Sequence, residues 1–280
     1  MKMDNGKKRT GDAKRAAFTA LVLLLSACLL SSCGGRKSSA VVIAGSTSVQ
    51  PYAELLVEEY ALLYPECEID VQGGGSSAGI TAVESGIADI GMSSRALKDS
   101  ERDLWSVEIA KDGLAIIINP GNPVANLSLE QLRRIYTGAV GNWKEVGGED
   151  ARIHVITREE GSGTRSAFED MVMDKEQISP RAVVQNSNGS VRQLVAGDKN
   201  SIGFISLGLV DETVKAVRLG GIAPTWDNVS NGSYSLYRPF LFVSESKPNG
   251  QAGQFIEFVL SPEGQQMLIN EGLIPPGKEG

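Results

Sequence analysis

The chain has little of what metal and redox chemistry require. It contains one histidine and three cysteines in 280 residues, and none of them lies at a spacing typical of a metal site. Two cysteines fall in the N-terminal segment, so Cys67 has no intrachain partner and is expected to be a packed thiol. The sequence also lacks a G-x-x-x-x-G-K-[ST] loop, which excludes nucleotide hydrolysis by this chain. No metal or cofactor is expected.

The sequence also lacks an apolar run long enough for a permanent membrane helix, which needs about 20 residues. The run at residues 16–30 follows the basic residues Lys7, Lys8, Arg9, Lys14 and Arg15, and it ends in Leu-Ser-Ser-Cys at 30–33. This order is typical of a secretory signal with a lipobox. We predict that residues 1–32 are a lipoprotein signal peptide, that Cys33 is lipidated and that residues 33–39 are a linker.

A second lipobox ends at Cys28, but cleavage there would leave Leu29 and Leu30 on the mature chain, so Cys33 is favoured. Either site predicts export and a lipid anchor on the outer face of a bacterial membrane.

Positive charge is scarce in the predicted mature protein. Residues 1–32 hold six of the 27 Lys and Arg residues but two of the 34 Asp and Glu residues, which leaves 21 basic and 32 acidic residues, a net charge of −11. Such a balance argues against nucleic acid and anionic membrane surfaces as partners.

Glycine and hydroxyl residues are abundant where predicted strands meet predicted helices. In the first junction, a strand at 41–44 leads through Gly-Ser-Thr-Ser into a helix at 49–64, with Ser48 as its predicted N-cap and Pro51 in its first turn. In the second, a strand at 68–72 leads through residues 73–79 into a helix that stops near Gly86.

The third junction joins a strand at 153–157 to a helix predicted near Ser166, through Arg-Glu-Glu-Gly-Ser-Gly-Thr-Arg at 158–165. This sequence places Arg158 in a solvent-facing loop. A guanidinium group, glycine N–H groups, hydroxyls and a helix N-terminus are all suited to an oxyanion. One such loop is typical of a simple turn. Three loops at the carboxyl ends of strands tend to share one sheet edge, so together they predict a site for a small tetrahedral anion.

Two apolar strands indicate where the domains part. Residues 116–118 and 239–243 are predicted to cross between two α/β domains, so residues 40–117 with 240–280 form lobe 1 and residues 118–239 form lobe 2. Ser261 and Pro262 predict the start of a last helix that ends near Gly272.

The lipobox and five further motifs resemble the phosphate-binding lipoproteins of bacterial ABC phosphate transporters, over nearly the whole mature chain. The motifs lie at residues 45–48, 73–79, 89–95, 132–143 and 158–164. The resemblance implies an α/β, type II periplasmic-binding-protein fold with two lobes, each a mixed sheet flanked by helices, joined by a two-stranded hinge. It also implies a monomer that captures inorganic phosphate between the lobes and delivers it to a permease with its ATPase subunits, and that contacts the membrane through its lipid alone.

Transferred to this sequence, the resemblance implies a set of phosphate-binding residues. They are Thr47, Ser48, Ser76, Ser94, Arg95, Arg158, Ser162, Gly163 and Thr164. The resemblance also implies that Glu160 orients Arg158, although a solvated carboxylate is the alternative. Arg95 is either a ligand or a surface cation.

Ser94 departs from the family, because some members have an Asp there that accepts the proton of monohydrogen phosphate. A hydroxyl can accept that bond but does not repel sulfate. A broader, sulfate-type oxyanion receptor is therefore an alternative function, and a phosphate sensor is another.

A hydrolase is the rival from another class. Residues 75–79 match G-x-S-x-G, which would make Ser77 a nucleophile. The single histidine, His154, lies in a predicted strand rather than on a late loop, and it is expected to be a packed strand residue. These features favour a binding protein over an enzyme.

Overall fold

The structure is a computed structural model, which describes residues 40–276. We number its elements in chain order. The strands β1 to β11 are Val41–Gly45, Ile69–Gly73, Ile90–Ser93, Trp105–Ile118, Asn126–Leu127, His154–Arg158, Val183–Gln185, Ser201–Ser206, Lys215–Ala216, Arg218–Leu219 and Tyr237–Ser244. The helices α1 to α8 are Gln50–Leu63, Ser76–Glu84, Leu129–Thr137, Gly163–Phe168, Asn188–Gly197, Trp226–Ser230, Gly250–Leu260 and Pro262–Asn270.

Most strands belong to one mixed sheet with the order β2-β1-β3-β11-β4-β8-β6-β7, and β9 also pairs with β4. The strands β1, β2 and β3 are parallel, as are β8, β6 and β7. The two long strands between these groups, β11 and β4, run antiparallel to each other and to their outer neighbours. Two parallel groups therefore share a central antiparallel pair.

Separate hydrophobic cores lie at the two ends of this central pair. On β4, Ala110 packs into one core and Leu114 into the other. Phe240 on β11 and Leu236, the residue just before that strand, divide in the same way. We call the half that contains β1 to β3, α1, α7 and α8 the first lobe and the half that contains β6 to β8 the second lobe. The fold is thus two-lobed with a two-stranded hinge, as predicted.

The exact lobe boundaries stay a prediction. Ile116 and Ile118 pack into the second-lobe core, where Phe204 also lies. This membership favours a boundary near residue 113 rather than at residue 117, because a strand residue belongs with the core that covers its side chain.

Two predicted helix starts are wrong. The N-cap of α1 is Val49, in a helical conformation and without a side-chain cap. The Ser48 hydroxyl has other partners, described below. The helix α4 begins at Gly163 rather than near Ser166, because Ser162 caps it by accepting from the N–H of Arg165. The Gly-Ser-Gly-Thr motif is therefore the cap and first turn of a helix.

The local predictions for Pro51, Ser261 and Cys67 are confirmed. Pro51 lies in the first turn of α1, and Ser261 caps α8 by accepting from the N–H of Gly264. Cys67 is a buried free thiol whose pKa is raised by burial. Cys33 and the signal peptide lie outside the described residues.

Within residues 40–276, no helix has the length and apolar character needed to cross a membrane. In the same range, no group of three or more His, Cys, Asp or Glu side chains is placed to hold a metal ion.

Candidate functional site

Backbone contacts hold the first two junctions against the sheet. The carbonyl of Gly45 accepts from the N–H groups of Gly74 and Gly75 at 2.8 and 2.9 Å, which ties the two loops together. The N–H of Ser46 donates to the carbonyl of Met92 on β3. The ends of β1, β2 and β3 thereby present their hydroxyl groups at one edge.

Three buried serines at this edge form a group that we call the hydroxyl cluster: Ser46, Ser76 and Ser94. The Ser46 hydroxyl donates to the Ser94 Oγ at 2.8 Å, and the Ser94 N–H donates to the Ser76 Oγ at 3.0 Å. Burying hydroxyls is costly unless they are hydrogen-bonded, and their mutual bonds reduce that cost.

The third junction approaches the hydroxyl cluster from the second lobe. A Cβ atom on Gly163 would lie 2.2 Å from the Ser76 Oγ and 2.6 Å from the Ser94 Oγ, so no larger residue fits there without a shift. The N–H of Ser77 also donates to the carbonyl of Gly161 at 3.1 Å. The predicted convergence of the loops on one site is therefore what the structure shows.

Side chains also bond across the cleft between the lobes. The hydroxyls of Ser48 and Thr164 lie 2.8 Å apart, and the guanidinium Nη2 of Arg158 donates to the Thr47 Oγ1 at 3.1 Å. Ser48, Thr164 and Arg158 are each about 1% exposed. The cleft is lined by buried groups that can donate hydrogen bonds.

Arg158 lies at the end of β6 and is buried, so its expected place in a solvent-facing loop is wrong. The Nε and Nη2 atoms have several acceptors, but Nη1 is buried with no hydrogen-bond partner within residues 40–276. A buried guanidinium donor without an acceptor is costly, and an anion oxygen would remove that cost.

The carboxylate that orients Arg158 belongs to Glu159, not to Glu160 as predicted. Both Glu159 oxygens accept from the guanidinium at 2.9 Å. Glu160 is exposed and lines a surface cavity with Arg165. Glu159 directly follows β6, whereas Glu160 already lies in the turn beyond it, and there its side chain is exposed.

The Arg95 side chain is neither a surface cation nor a member of the hydroxyl cluster. It is 4% exposed and forms a two-point ion pair with Glu101, at 2.7 and 2.8 Å. Its Nη1 also donates to the carbonyl of Ala96. These acceptors occupy its two terminal nitrogens and hold the loop after β3, whereas its Nε is buried with no hydrogen-bond partner within residues 40–276. Contact between Arg95 and a ligand stays a prediction.

The Arg95 pair makes stability depend on acid pH. Hydrogen bonding from Arg95 lowers the pKa of Glu101 below its ordinary value of 4.5. A lowered folded-state pKa stabilises the protein above the unfolded-state value, and this contribution is lost as pH falls through the folded-state value. We expect Glu101→Gln to cost about 1–3 kcal/mol at pH 7, and less at pH 3.5.

Urea unfolding at the two pH values measures this difference. Asp99→Asn is the control. Asp99 pairs with Arg102, and because both side chains are exposed, this ion pair should contribute nothing measurable to the free energy of unfolding. An equal loss for Glu101→Gln at both pH values would show that the carboxylate charge is not involved.

The positions of His154 and Ser77 do not support the hydrolase hypothesis. His154 begins β6, four residues before the cleft end of that strand, which is a separation of about 13 Å. Ser77 lies at the cleft end. His154 is also not packed: its side chain is 45% exposed and its Nδ1 lies 2.6 Å from the Asp198 Oδ2. The first residue of the strand projects beyond the core that covers the rest.

Sequence reasoning missed three residues of the cleft: Ser46, Glu159 and Asn188. The Asn188 amide donates to the Ser48 Oγ at 2.8 Å. A signal for it existed, since β7 is followed by Asn186 and Ser187 and then by Asn-Gly-Ser in the first turn of α5. This is a fourth junction of the same strand, polar loop and helix type.

Two lobes that meet over buried hydroxyls and an arginine define a solute-binding protein of the type II periplasmic-binding class. The PBP superfamily domain model matches residues 31–263. The phosphate-binding protein PstS of Pseudomonas aeruginosa is 32% identical over 263 residues, which cover 82% of this chain and 81% of that protein. The chain belongs to the PBP superfamily and, within it, is a PstS-like binding protein rather than an enzyme.

Two solved structures support the same family assignment. One from Clostridium perfringens, described as a phosphate ABC transporter substrate-binding protein with bound phosphate, is 43% identical with a TM-score of 0.82, and covers 85% of this chain and 100% of that one. An ABC-type phosphate transport receptor from Vibrio cholerae is also 43% identical, with a TM-score of 0.72, and covers 84% and 100%.

Proposed function

We propose that this protein captures inorganic phosphate in the cleft between its lobes. The observation that carries the proposal is the buried Arg158 Nη1, a charged donor with no acceptor within residues 40–276. The Thr47, Ser48 and Thr164 hydroxyls and the first turn of α4 surround the same cleft. The names of the relatives in Pseudomonas, Clostridium and Vibrio support phosphate as the solute.

Helix N-termini and oriented hydrogen-bond donors support an anion in this cleft. Glu159 neutralises Arg158, so the pair alone gives little net attraction. The N-termini of α1, α2 and α5 each contribute about half a positive charge, and charge-assisted hydrogen bonds are worth about 1.5–3 kcal/mol each. We infer that oriented N–H and O–H groups, more than net charge, hold the ligand.

The set of ligand residues is part of the proposal. Of the predicted residues, we retain Thr47, Ser48, Ser76, Ser94, Arg158, Ser162, Gly163 and Thr164. We leave Arg95 out of the proposed set, because Glu101 and Ala96 already accept from its Nη atoms. Ser162 fits this role although it caps α4, because a hydroxyl that accepts from the Arg165 N–H still has its own proton to donate.

A broader oxyanion receptor is the second candidate, and Ser94 is the observation that favours it. Ser94 already accepts from Ser46 and lies 3.4 Å from the Ser76 Oγ. A hydroxyl serves as donor or acceptor, so this position does not select for a protonated anion as a carboxylate would.

Isothermal titration of residues 34–280 with phosphate, and separately with sulfate, tests both candidates. Binding of phosphate with no heat from sulfate supports phosphate capture and shows that selectivity does not need a carboxylate at position 94. Equal affinities support the broader receptor. No heat from either anion overturns both.

We further propose that the protein is exported, anchored through Cys33 and delivers phosphate to an ABC permease with its ATPase subunits. The lipobox and the transport names of the relatives support this role. Uptake of labelled phosphate in cells that lack the protein distinguishes transport from sensing, because a sensor would leave uptake by the existing permease intact. Metabolic labelling with palmitate tests the anchor.

A further inference from the structure

Asn188 bonds to both lobes and is almost completely buried. It is the first residue of α5 and is 2% exposed. Its amide Nδ2 donates to the Ser48 Oγ of the first lobe at 2.8 Å, while its Oδ1 accepts from the N–H of Ser206 in the second lobe at 3.3 Å. One side chain therefore bridges the loop after β1 and the end of β8.

The bond from Asn188 occupies one acceptor position of the Ser48 hydroxyl. A hydroxyl has one proton to donate and two lone pairs that accept. Because Ser48 accepts from Asn188, its own proton is left for another acceptor, either the nearby Thr164 Oγ1 or an anion oxygen. The unprotonated oxygens of an oxyanion accept hydrogen bonds, so a hydroxyl whose proton is directed into the cleft is the form that binds them.

The amide oxygen of Asn188 is fixed near the strand crossing, by which we mean the paired residues Asp112 of β4 and Arg238 of β11. Ser206, which donates its N–H to Asn188, also donates its hydroxyl to the Asp112 Oδ1 at 2.7 Å. Asp112 in turn accepts from the Arg238 guanidinium at 2.9 and 3.1 Å, and Asp112 and Arg238 are paired residues of β4 and β11. All of these residues are buried. A continuous buried chain thus leads from the crossing strands to the cleft.

We propose that Asn188 is a positioning residue for anion binding, which holds the Ser48 hydroxyl as a donor and fixes that donor relative to the strand crossing. The proposal rests on the proposed phosphate capture. In this role Asn188 affects the phosphate affinity through the Ser48 hydroxyl. A residue that only stabilised α5 would affect the affinity equally with or without that hydroxyl.

A double-mutant cycle of Asn188→Ala and Ser48→Ala, read as the phosphate Kd by titration, tests this assignment. We expect Asn188→Ala to weaken binding about tenfold when Ser48 is present, which is the usual range for a hydrogen bond to a charged group. When Ser48 is already Ala, the same change should alter the Kd less than about twofold. An equal loss in both backgrounds overturns the proposal.

Asn188→Asp gives a second test if the Ala variant folds poorly. It keeps the shape and the acceptor for the Ser206 N–H but cannot donate to Ser48, and it adds a negative charge. We expect a loss of more than about tenfold; wild-type affinity would overturn the proposal. Ser190→Ala is the control in the same helix, because the Ser190 hydroxyl bonds to Ser187 and Asn186 rather than to the cleft.

These experiments distinguish a failure of the proposed phosphate capture from a failure of the proposed role of Asn188. If the wild-type chain does not bind phosphate, both the proposed function and the role of Asn188 are overturned. If the wild-type chain binds and the two substitutions act independently, phosphate capture stands and only the role of Asn188 falls.

Discussion

Arg158→Ala should weaken phosphate binding by a factor of about 100 or more. The change removes a charged donor, the unsatisfied Nη1, together with the bond from Nη2 to Thr47. One charge-assisted bond to phosphate, at about 1.5–3 kcal/mol, corresponds to a factor of about 10 to 150, and loss of the bond to Thr47 also releases that hydroxyl. It also leaves Glu159 without its partner, so an uncompensated negative charge would face the incoming anion. Titration calorimetry measures the loss.

Because Arg158 is buried, the same variant should also be less stable, by about 1–3 kcal/mol in urea unfolding. Arg134→Ala is the matched control: it makes the same change in net charge at an exposed position in the last turn of α3. If Arg134→Ala weakened binding as much as Arg158→Ala, long-range charge rather than contact would be responsible. Retention of wild-type affinity by Arg158→Ala would remove the basis for the proposed site.

Asp112→Ala should cause the largest loss of stability, about 3–5 kcal/mol. Asp112 and Arg238 are 1% and 2% exposed, and their pair lies where β4 and β11 cross between the lobes. Removing one member of a buried ion pair leaves the other charge uncompensated in a medium that solvates it poorly. The shift of the urea midpoint measures this cost.

The double variant Asp112→Leu with Arg238→Met is the informative control. Replacing both members of a buried pair with apolar groups is often neutral. We therefore expect the double variant to be more stable than Asp112→Ala, although it removes more polar groups. A double variant that is the less stable of the two would show that the bonds themselves, including that from Ser206, outweigh the desolvation of the charges.

The sequence was sufficient to predict that the polar loops meet, because local pattern and sheet topology both indicate it. Three junctions of strand, polar loop and helix were visible, and parallel strands must present their carboxyl ends together, so the meeting of the loops at 46–49, 74–75 and 159–162 followed. The crossing of two apolar strands was also predictable, because a chain that leaves a lobe on one strand must return on another.

What the sequence could not reveal was the direction of individual side chains. Glu159 and Glu160 have the same chemistry, and only the backbone at the end of β6 decides which reaches Arg158. Ser48 fits an N-cap by its position, but its hydroxyl is held by Asn188, 140 residues away. Long-range partners of this kind leave no local trace, so the bond from Asn188 to Ser48 and the buried state of Arg158 emerged from the structure alone.

The strand crossing also sets the order in which the two cores can be completed. The second-lobe core runs continuously from Leu114 to Leu236, apart from one partly buried residue near the C-terminus. The first-lobe core requires Phe240, Phe255 and Leu268 as well as β1 and α1. When the chain emerges with its N-terminus first, the second-lobe core can therefore form early. The first-lobe core can be completed only after the last 40 or so residues have emerged. Chains truncated before Tyr237 would carry an unfinished first lobe beside a second lobe whose core lacks only Ile274.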